Sequence, residues 1–240
     1  ANDAFKPVTR YFDRITRPEQ IISSLQQAVQ VMLDPADCGP ACISLSQDVQ
    51  GEVCDYPEEF FKERIHTIRR SRPDDFQIKE AAELIKKSKK PIIISGGGIF
   101  YSDATEELSA FAQKHNIPVT QTVMGYSTMK KDHSHYLGVI GGLGGKAANN
   151  LSKETDTAIA IGTKLADFTT GSWANFENPN FKLVSINAAR FDANKHMAQA
   201  IVGDAKVSLI ELSQALGNWK ADDSWYKKSR VELKEWESYV

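Results

Sequence analysis

The chain has little cysteine: only Cys38, Cys42 and Cys54 in 240 residues. An odd number in a chain of this size excludes a disulfide-stapled fold, and a reducing cytoplasm is the simplest home. Cys38 and Cys42 lack the spacing of a two-cysteine redox motif. No second pair completes a zinc site, so both read as ordinary buried or turn residues. The chain also lacks an excess of either charge, with 29 Lys and Arg against 31 Asp and Glu. That balance leaves no broad positive field for nucleic acid or an acidic membrane. No apolar run approaches the length of a membrane span. The opening ANDAFKP lacks a basic-then-apolar leader and an initiator methionine, which fits a processed chain or an excised piece.

What is present centres on Pro91–Gly98, PIIISGGG. Ile92, Ile93 and Ile94 do not alternate with polar residues, which predicts a strand buried on both faces, the habit of a central parallel strand. Gly96, Gly97 and Gly98 then allow a tight turn and a close approach by backbone or ligand. Asp103 with Glu106 has capping-box spacing for the next helix. Strand, glycine turn and helix make a ligand crevice in an open α/β sheet. A plain turn is the competing reading. The dinucleotide fingerprint fails, because Tyr101 stands where its third glycine belongs.

Before this strand, residues 18–33 read as a helix with Ile21, Leu25, Ala28, Val29 and Met32 on one side, and Ala41–Leu45 as a short strand. One helix and one strand cannot bury their own apolar faces, so residues 1–50 read as an incomplete unit. Residues 51–74 read as a linker pinned by Tyr56, Phe60 and Phe61. Its Arg69, Arg70 and Arg72 read as a solvated tether, with phosphate binding as the alternative.

Residues 75–216 carry five or six β/α units. A helix with the stripe Ile78, Ala81, Ala82 and Ile85 precedes the organising strand, and a second strand follows at Ile117–Thr120. His133 and His135 have no partner at metal-ligand spacing and read as surface histidines. Gly138, Gly141, Gly142, Gly144 and Gly145 lead to Lys146. This is no phosphate loop, because Ile140 and Ala147 occupy its obligatory glycine and hydroxyl positions. The glycines still allow exposed amides at the start of a helix over 146–151, where an anion could sit. Thr157–Ile161 is a buried strand entering a loop with Lys164 and Asp167, the most suggestive charged pair. Residues 182–186 form the next strand, and Asn187 after it reads as a ribose contact or a turn. A short strand over Gln199–Val202 and a helix close the layer. The fold class is therefore α/β, a doubly wound, mostly parallel sheet. Residues 217–240 form a charged helix with Trp225, Tyr226, Trp236 and Tyr239, either docking on something larger or packing on the preceding domain.

Taken together, these passages resemble the thiamine-diphosphate-dependent enzymes of the acetohydroxyacid synthase and pyruvate oxidase superfamily. ADCGPACISLSQDV (36–49) resembles the closing strand of the pyrimidine-binding domain. Residues 91–98, 137–151 with Ala148-Asn149, and 161–171 resemble three passages of the central domain. FKPVTRYFDRITRPEQ, DPADCGPA and IGGLGGKAANNL resemble a hydrolase branch that cleaves a carbon–carbon bond of a cyclic polyol-dione.

The resemblance implies four parts. Residues 1–50 are the tail of the pyrimidine-binding domain, 51–74 a linker, 75–216 the Rossmann-like central domain, and 217–240 a helical linker toward a diphosphate-binding domain. It implies thiamine diphosphate and Mg²⁺ in the full-length enzyme, and a homodimer or homotetramer. It puts the cofactor-activating glutamate before residue 1 and leaves the Gly-Asp-Gly metal motif out of this chain, since Gly203-Asp204-Ala205 is not that motif. Catalytic residues and metal ligands are thus not assignable within the chain. The cofactor-type positions are Gly96, Gly97, Gly98, Gly142, Lys164 and Asp167. Lys164 and Phe168 stand where flavin-binding relatives carry Arg, which weighs against FAD. Two other classes stay open. One is a free-standing nucleotide-binding module, whose sirtuin-like form would need four zinc cysteines. The other is a purely structural module.

Overall fold

The computed structural model describes residues 2–239. The chain divides into two compact units between Arg69 and Arg70. In the first, β1 (Tyr11–Ile15), α1 (Ile21–Leu33) and β2 (Ala41–Leu45) make a two-stranded parallel sheet with one helix. The sequence reading gave α1 and β2 but missed β1, whose YFDRI carries two charges in five residues. Asp13 on β1 accepts hydrogen bonds from Ser24 and from Gln20 (2.9 Å). These bonds, Ser24's first, hold its carboxyl below the usual range. Leu25, Met32 and Leu45 stay exposed, since so small a layer has nothing to set against them. Further on, Tyr56 stacks on Phe60 at 5.8 Å, and Phe61 meets Phe60 edge-on.

The second unit opens with α2 (Asp75–Lys86), capped by the Asp74 carboxylate accepting from Phe76 N–H at 2.8 Å. Ile78, Ala81, Ala82 and Ile85 are its buried face, as their spacing predicts. β3 (Pro91–Ser95) follows, then the short α3 (Gly98–Tyr101), α4 (Thr105–His115), β4 (Val119–Gln121) and β5 (Tyr136–Val139). Next come α5 (Lys146–Glu154), β6 (Thr157–Ile161), α6 (Asp167–Thr170), β7 (Lys182–Asn187), α7 (Arg190–Asn194), β8 (Gln199–Val202), α8 (Ala205–Leu216) and α9 (Asp223–Tyr239).

The six strands of this unit lie in the order β5-β4-β3-β6-β7-β8, every pair parallel. The chain runs outward from β3 to β4 and β5, returns through α5 to β6, and runs outward again to β8. Right-handed crossovers in opposite directions put helices on both faces. Accordingly α2 and α4 pack with α8, while α5 packs with α9. Ile92, Ile93 and Ile94 are completely buried. Each such side chain contributes about 1.5–3 kcal/mol of hydrophobic stabilisation. The chain reverses direction between β3 and β6, the place where open α/β sheets hold ligands, but here the turns that follow the two strands stay hydrogen-bonded to each other.

Several local expectations are corrected. The Asp103–Glu106 capping box does not form: Asp103 has φ 51°, and Ala104 occupies the N-cap without a side-chain bond. α3 uses up the turn, so the chain must reverse at Asp103 before α4. α5 extends past Leu151 to Glu154. Arg70 and Arg72 are exposed, as in a solvated tether, but each is also ion-paired. Arg70 Nη1 pairs with Asp204 Oδ2 at 2.9 Å, Arg72 pairs with Glu211, and Asp204 N–H donates to Ser71 C=O at 2.9 Å. α9 packs on its own domain: Trp225 Nε1–H donates to Pro91 C=O at 2.8 Å and Arg230 to Tyr136 C=O at 2.7 Å.

Candidate functional site

Three glycine-bearing loops meet at the carboxyl end of the sheet. Gly96 N–H donates to Ile161 C=O and Gly98 N–H to Gly162 C=O, both at 2.9 Å. A Cβ on Gly98 would lie 2.5 Å from Gly162 Cα, one on Gly96 2.6 Å from Thr163 Cβ, and one on Gly125 2.8 Å from Gly96 Cα. These glycines let the turns after β3, β4 and β6 touch backbone to backbone. Gly162 itself has φ 61°, a conformation glycine adopts without penalty. The close approach seen in the sequence is therefore made to protein, and the Gly96 and Gly98 amides are already engaged.

The second glycine cluster is engaged in the same way. Gly141 N–H donates to Asn149 Oδ1 (2.9 Å), whose Nδ2 donates back to Gly141 C=O (3.0 Å). Gly142 N–H donates to Phe168 C=O at 2.8 Å, and Gly145 N–H to Val139 C=O at 2.9 Å. The amides of these three glycines thus bind carbonyl and amide oxygens of the chain. Asn149 joins the loops after β5 and β6, since Asn175 Nδ2 also donates to its Oδ1 at 3.2 Å.

Lys164 and Asp167 are both exposed, but they are not partners. Lys164 Nζ lies 4.0 Å from Asp192 Oδ2, which Lys195 also approaches. Asp167 begins α6, with its backbone carbonyl accepting from Ser172 N–H. Leu165 between them is buried with φ 47°. That left-handed turn points the two charges apart. Asn187 makes the turn after β7: its Oδ1 accepts from Ala189 N–H and its Nδ2 donates to Thr163 C=O. The structure thus brings Gly96, Gly98, Gly125 and Gly162 together and links Gly142 to Phe168, while Lys164 stands toward α7.

Sequence reasoning missed the polar residues beneath the loop after β4. Ser95 Oγ lies 2.8 Å from Thr128 Oγ1, and Thr128 donates to Gly125 C=O at 2.8 Å. Gln121 Nε2 donates to Thr128 Oγ1 and to Met129 C=O (3.0 Å). The available signal was Thr120-Gln121-Thr122, three polar residues at a buried strand end. Around the rim, Tyr101, Met124, Leu143, Phe168 and Phe191 are strongly exposed. Such an apolar edge is more than an isolated soluble domain usually shows.

His135, read as a surface residue, is buried. Its Nε2–H donates to Asn116 Oδ1 at 3.2 Å, because the Asn116 amide nitrogen is spent on Ala221 and Asp223. Its ring lies 4.6 Å from that of Tyr226. Burial, with His133 and Arg230 nearby, lowers its pKa to about 4. Among the described residues, no group of three or more His, Cys, Asp or Glu could hold a metal ion, and no helix is long and apolar enough to cross a membrane.

This sheet order and these loops go with a clear sequence match. Residues 78–212 match the central domain of thiamine pyrophosphate enzymes, and the chain belongs to that family. Among curated proteins it is similar to the 3D-(3,5/4)-trihydroxycyclohexane-1,2-dione hydrolase of Clostridium perfringens strain 13, with 46% identity over 98% of this chain and 36% of the relative. The protein of that name in Bacillus licheniformis is 47% identical over 98% of the chain and 37% of the relative. That of Bacillus subtilis strain 168 is 47% identical over 92% and 35%. The chain thus spans about a third of the length of these relatives.

Proposed function

We propose that the chain is part of a hydrolase that cleaves a carbon–carbon bond of 3D-(3,5/4)-trihydroxycyclohexane-1,2-dione, giving 5-deoxy-glucuronate in myo-inositol degradation. The observation that carries this reading is the near-half identity to hydrolases of that name across almost the whole chain. In this reading thiamine diphosphate and Mg²⁺ supply the electron sink from other domains of the same enzyme, and the assembly is a homodimer or homotetramer. The crevice of Gly96–Gly98, Met124–Tyr126, Gly141–Gly145 and Lys164–Asp167 keeps the outline of a nucleotide site but acts mainly in domain packing. Its apolar rim, with Asp167, walls the full enzyme's active site. The engaged glycine amides support this assignment.

The test is turnover of the cyclic dione by the intact protein, with and without thiamine diphosphate and Mg²⁺. Cofactor-dependent release of an open-chain deoxyhexuronate is the expected result. Consumption of pyruvate with no action on the dione would replace this reading with an acetohydroxyacid synthase-like carboligase. The 240-residue chain alone is expected to be inactive under the same conditions.

A further inference from the structure

A second concavity lies at the carboxyl end of β4, against the loop that leads on toward β5. It encloses about 440 Å³ between Gln121, Met129 and the exposed residues Tyr126, Ser127, Lys130, Lys131 and Asp132. That volume falls within the usual range for small-molecule sites. We propose that it binds a small polyhydroxy acid of the sugar-acid class.

The lining selects that chemistry. Lys130 and Lys131 offer two ammonium groups to a carboxylate, and Asp132 leaves the lining with one net positive charge. A bare inorganic anion would offer Asp132 no hydrogen-bond donor. A polyol would donate hydroxyl hydrogens to it. Ser127 and Tyr126 add hydroxyls that both donate and accept. The half-exposed Tyr126 ring adds apolar surface to the lining, with Lys131 Nζ over it at 5.9 Å from its centroid.

The back wall is fixed before any ligand arrives. Gln121 is 1% exposed and Met129 3%. Both hydrogen-bonded positions of the Gln121 amide nitrogen are filled from within. Its Oε1 accepts only from Ser127 N–H, at 3.3 Å, which leaves a lone pair for a ligand hydroxyl. A preorganised wall lowers the ordering cost of binding. The site rests on these residues and not on the reaction proposed above.

The experiment is calorimetric and NMR titration of the 240-residue chain with D-glucuronate, and in parallel with acetate and with myo-inositol. Glucuronate is expected to bind about fivefold or more tightly than either control, since each control lacks one half of the recognised chemistry. Lys131→Met and Tyr126→Ala should each weaken glucuronate about fivefold with an unchanged melting temperature, while Lys164→Met leaves it unaltered. Equal binding of acetate would reduce the site to surface charge and overturn the proposal. Equal binding of myo-inositol, indifference to Lys131→Met, or no glucuronate signal at about 20 mM would also overturn it.

Discussion

Gly98→Ala tests whether the three glycine turns hold the site together by direct backbone contact. Gly98 N–H donates to Gly162 C=O at 2.9 Å, and a methyl group at Gly98 would stand 2.5 Å from Gly162 Cα. Unstrained carbon–carbon contacts lie at about 3.5–4.0 Å, so the turns after β3 and β6 must separate by about 1 Å. Neither atom belongs to a rotatable side chain, and Gly162 is already held at φ 61°. Overpacking of this kind costs about 1–3 kcal/mol. Alanine's better helix propensity at the first position of α3 returns at most about 1 kcal/mol. The expected net loss is about 1–2 kcal/mol, a fall of roughly 2–8 °C in the melting temperature of a unit this size. Gly142→Ala is the matched control: its methyl would meet nothing nearer than Phe168 Cδ1 at 3.7 Å, and it should stay within about 0.5 kcal/mol of the parent. Scanning calorimetry and urea titration of the three proteins supply the measurement. A Gly98→Ala protein as stable as the parent, or a Gly142→Ala protein equally destabilised, would refute the contact argument.

His135 should make folding acid-sensitive. Its pKa of about 4 in the fold lies below the ordinary 6.5, so the fold prefers the neutral ring. That stabilisation is complete above pH 6.5 and is lost as pH falls toward 4, to a limit of about 3 kcal/mol. Urea midpoints between pH 7 and pH 4 should show the loss, and His135→Asn should flatten that part of the profile. Asp204→Ala removes the cap of α8, which accepts from Lys206 and Val207 N–H, together with the partner of Arg70. It should cost about 2 kcal/mol by urea denaturation, and more than Arg70→Ala, because the arginine end of the pair is partly solvated. Titration of FAD, FMN, NAD and ATP into the chain should give no micromolar binding. Micromolar binding of any one, lost in Lys164→Ala, would overturn the packing role of the crevice.

Periodicity along the chain was enough to determine the second unit's layers. The unbroken Ile92–Ile94 and Thr157–Ile161 runs had to be two-face-buried parallel strands, and the Ile78–Ile85 stripe had to be a helix on that sheet. Both are local patterns of apolar side chains, and burial of those side chains is what selects the element. β1 escaped because Asp13 and Arg14 break its pattern, and the Asp13 carboxylate finds its donors in Gln20 and Ser24, which only the fold brings to it. The family passages were equally legible, because they are strings of residues. Pairings across the chain were not. Gly98 against Gly162, Gly142 on Phe168, Lys164 toward Asp192 and Arg70 on Asp204 join residues tens of positions apart. A glycine in sequence says that a backbone can come close. Only the sheet order β5-β4-β3-β6-β7-β8 decides that the partner is another turn of the same chain. His135 makes the same point: its two-residue spacing from His133 says nothing of burial, which depends on α9 folding back to lay Tyr226 against its ring.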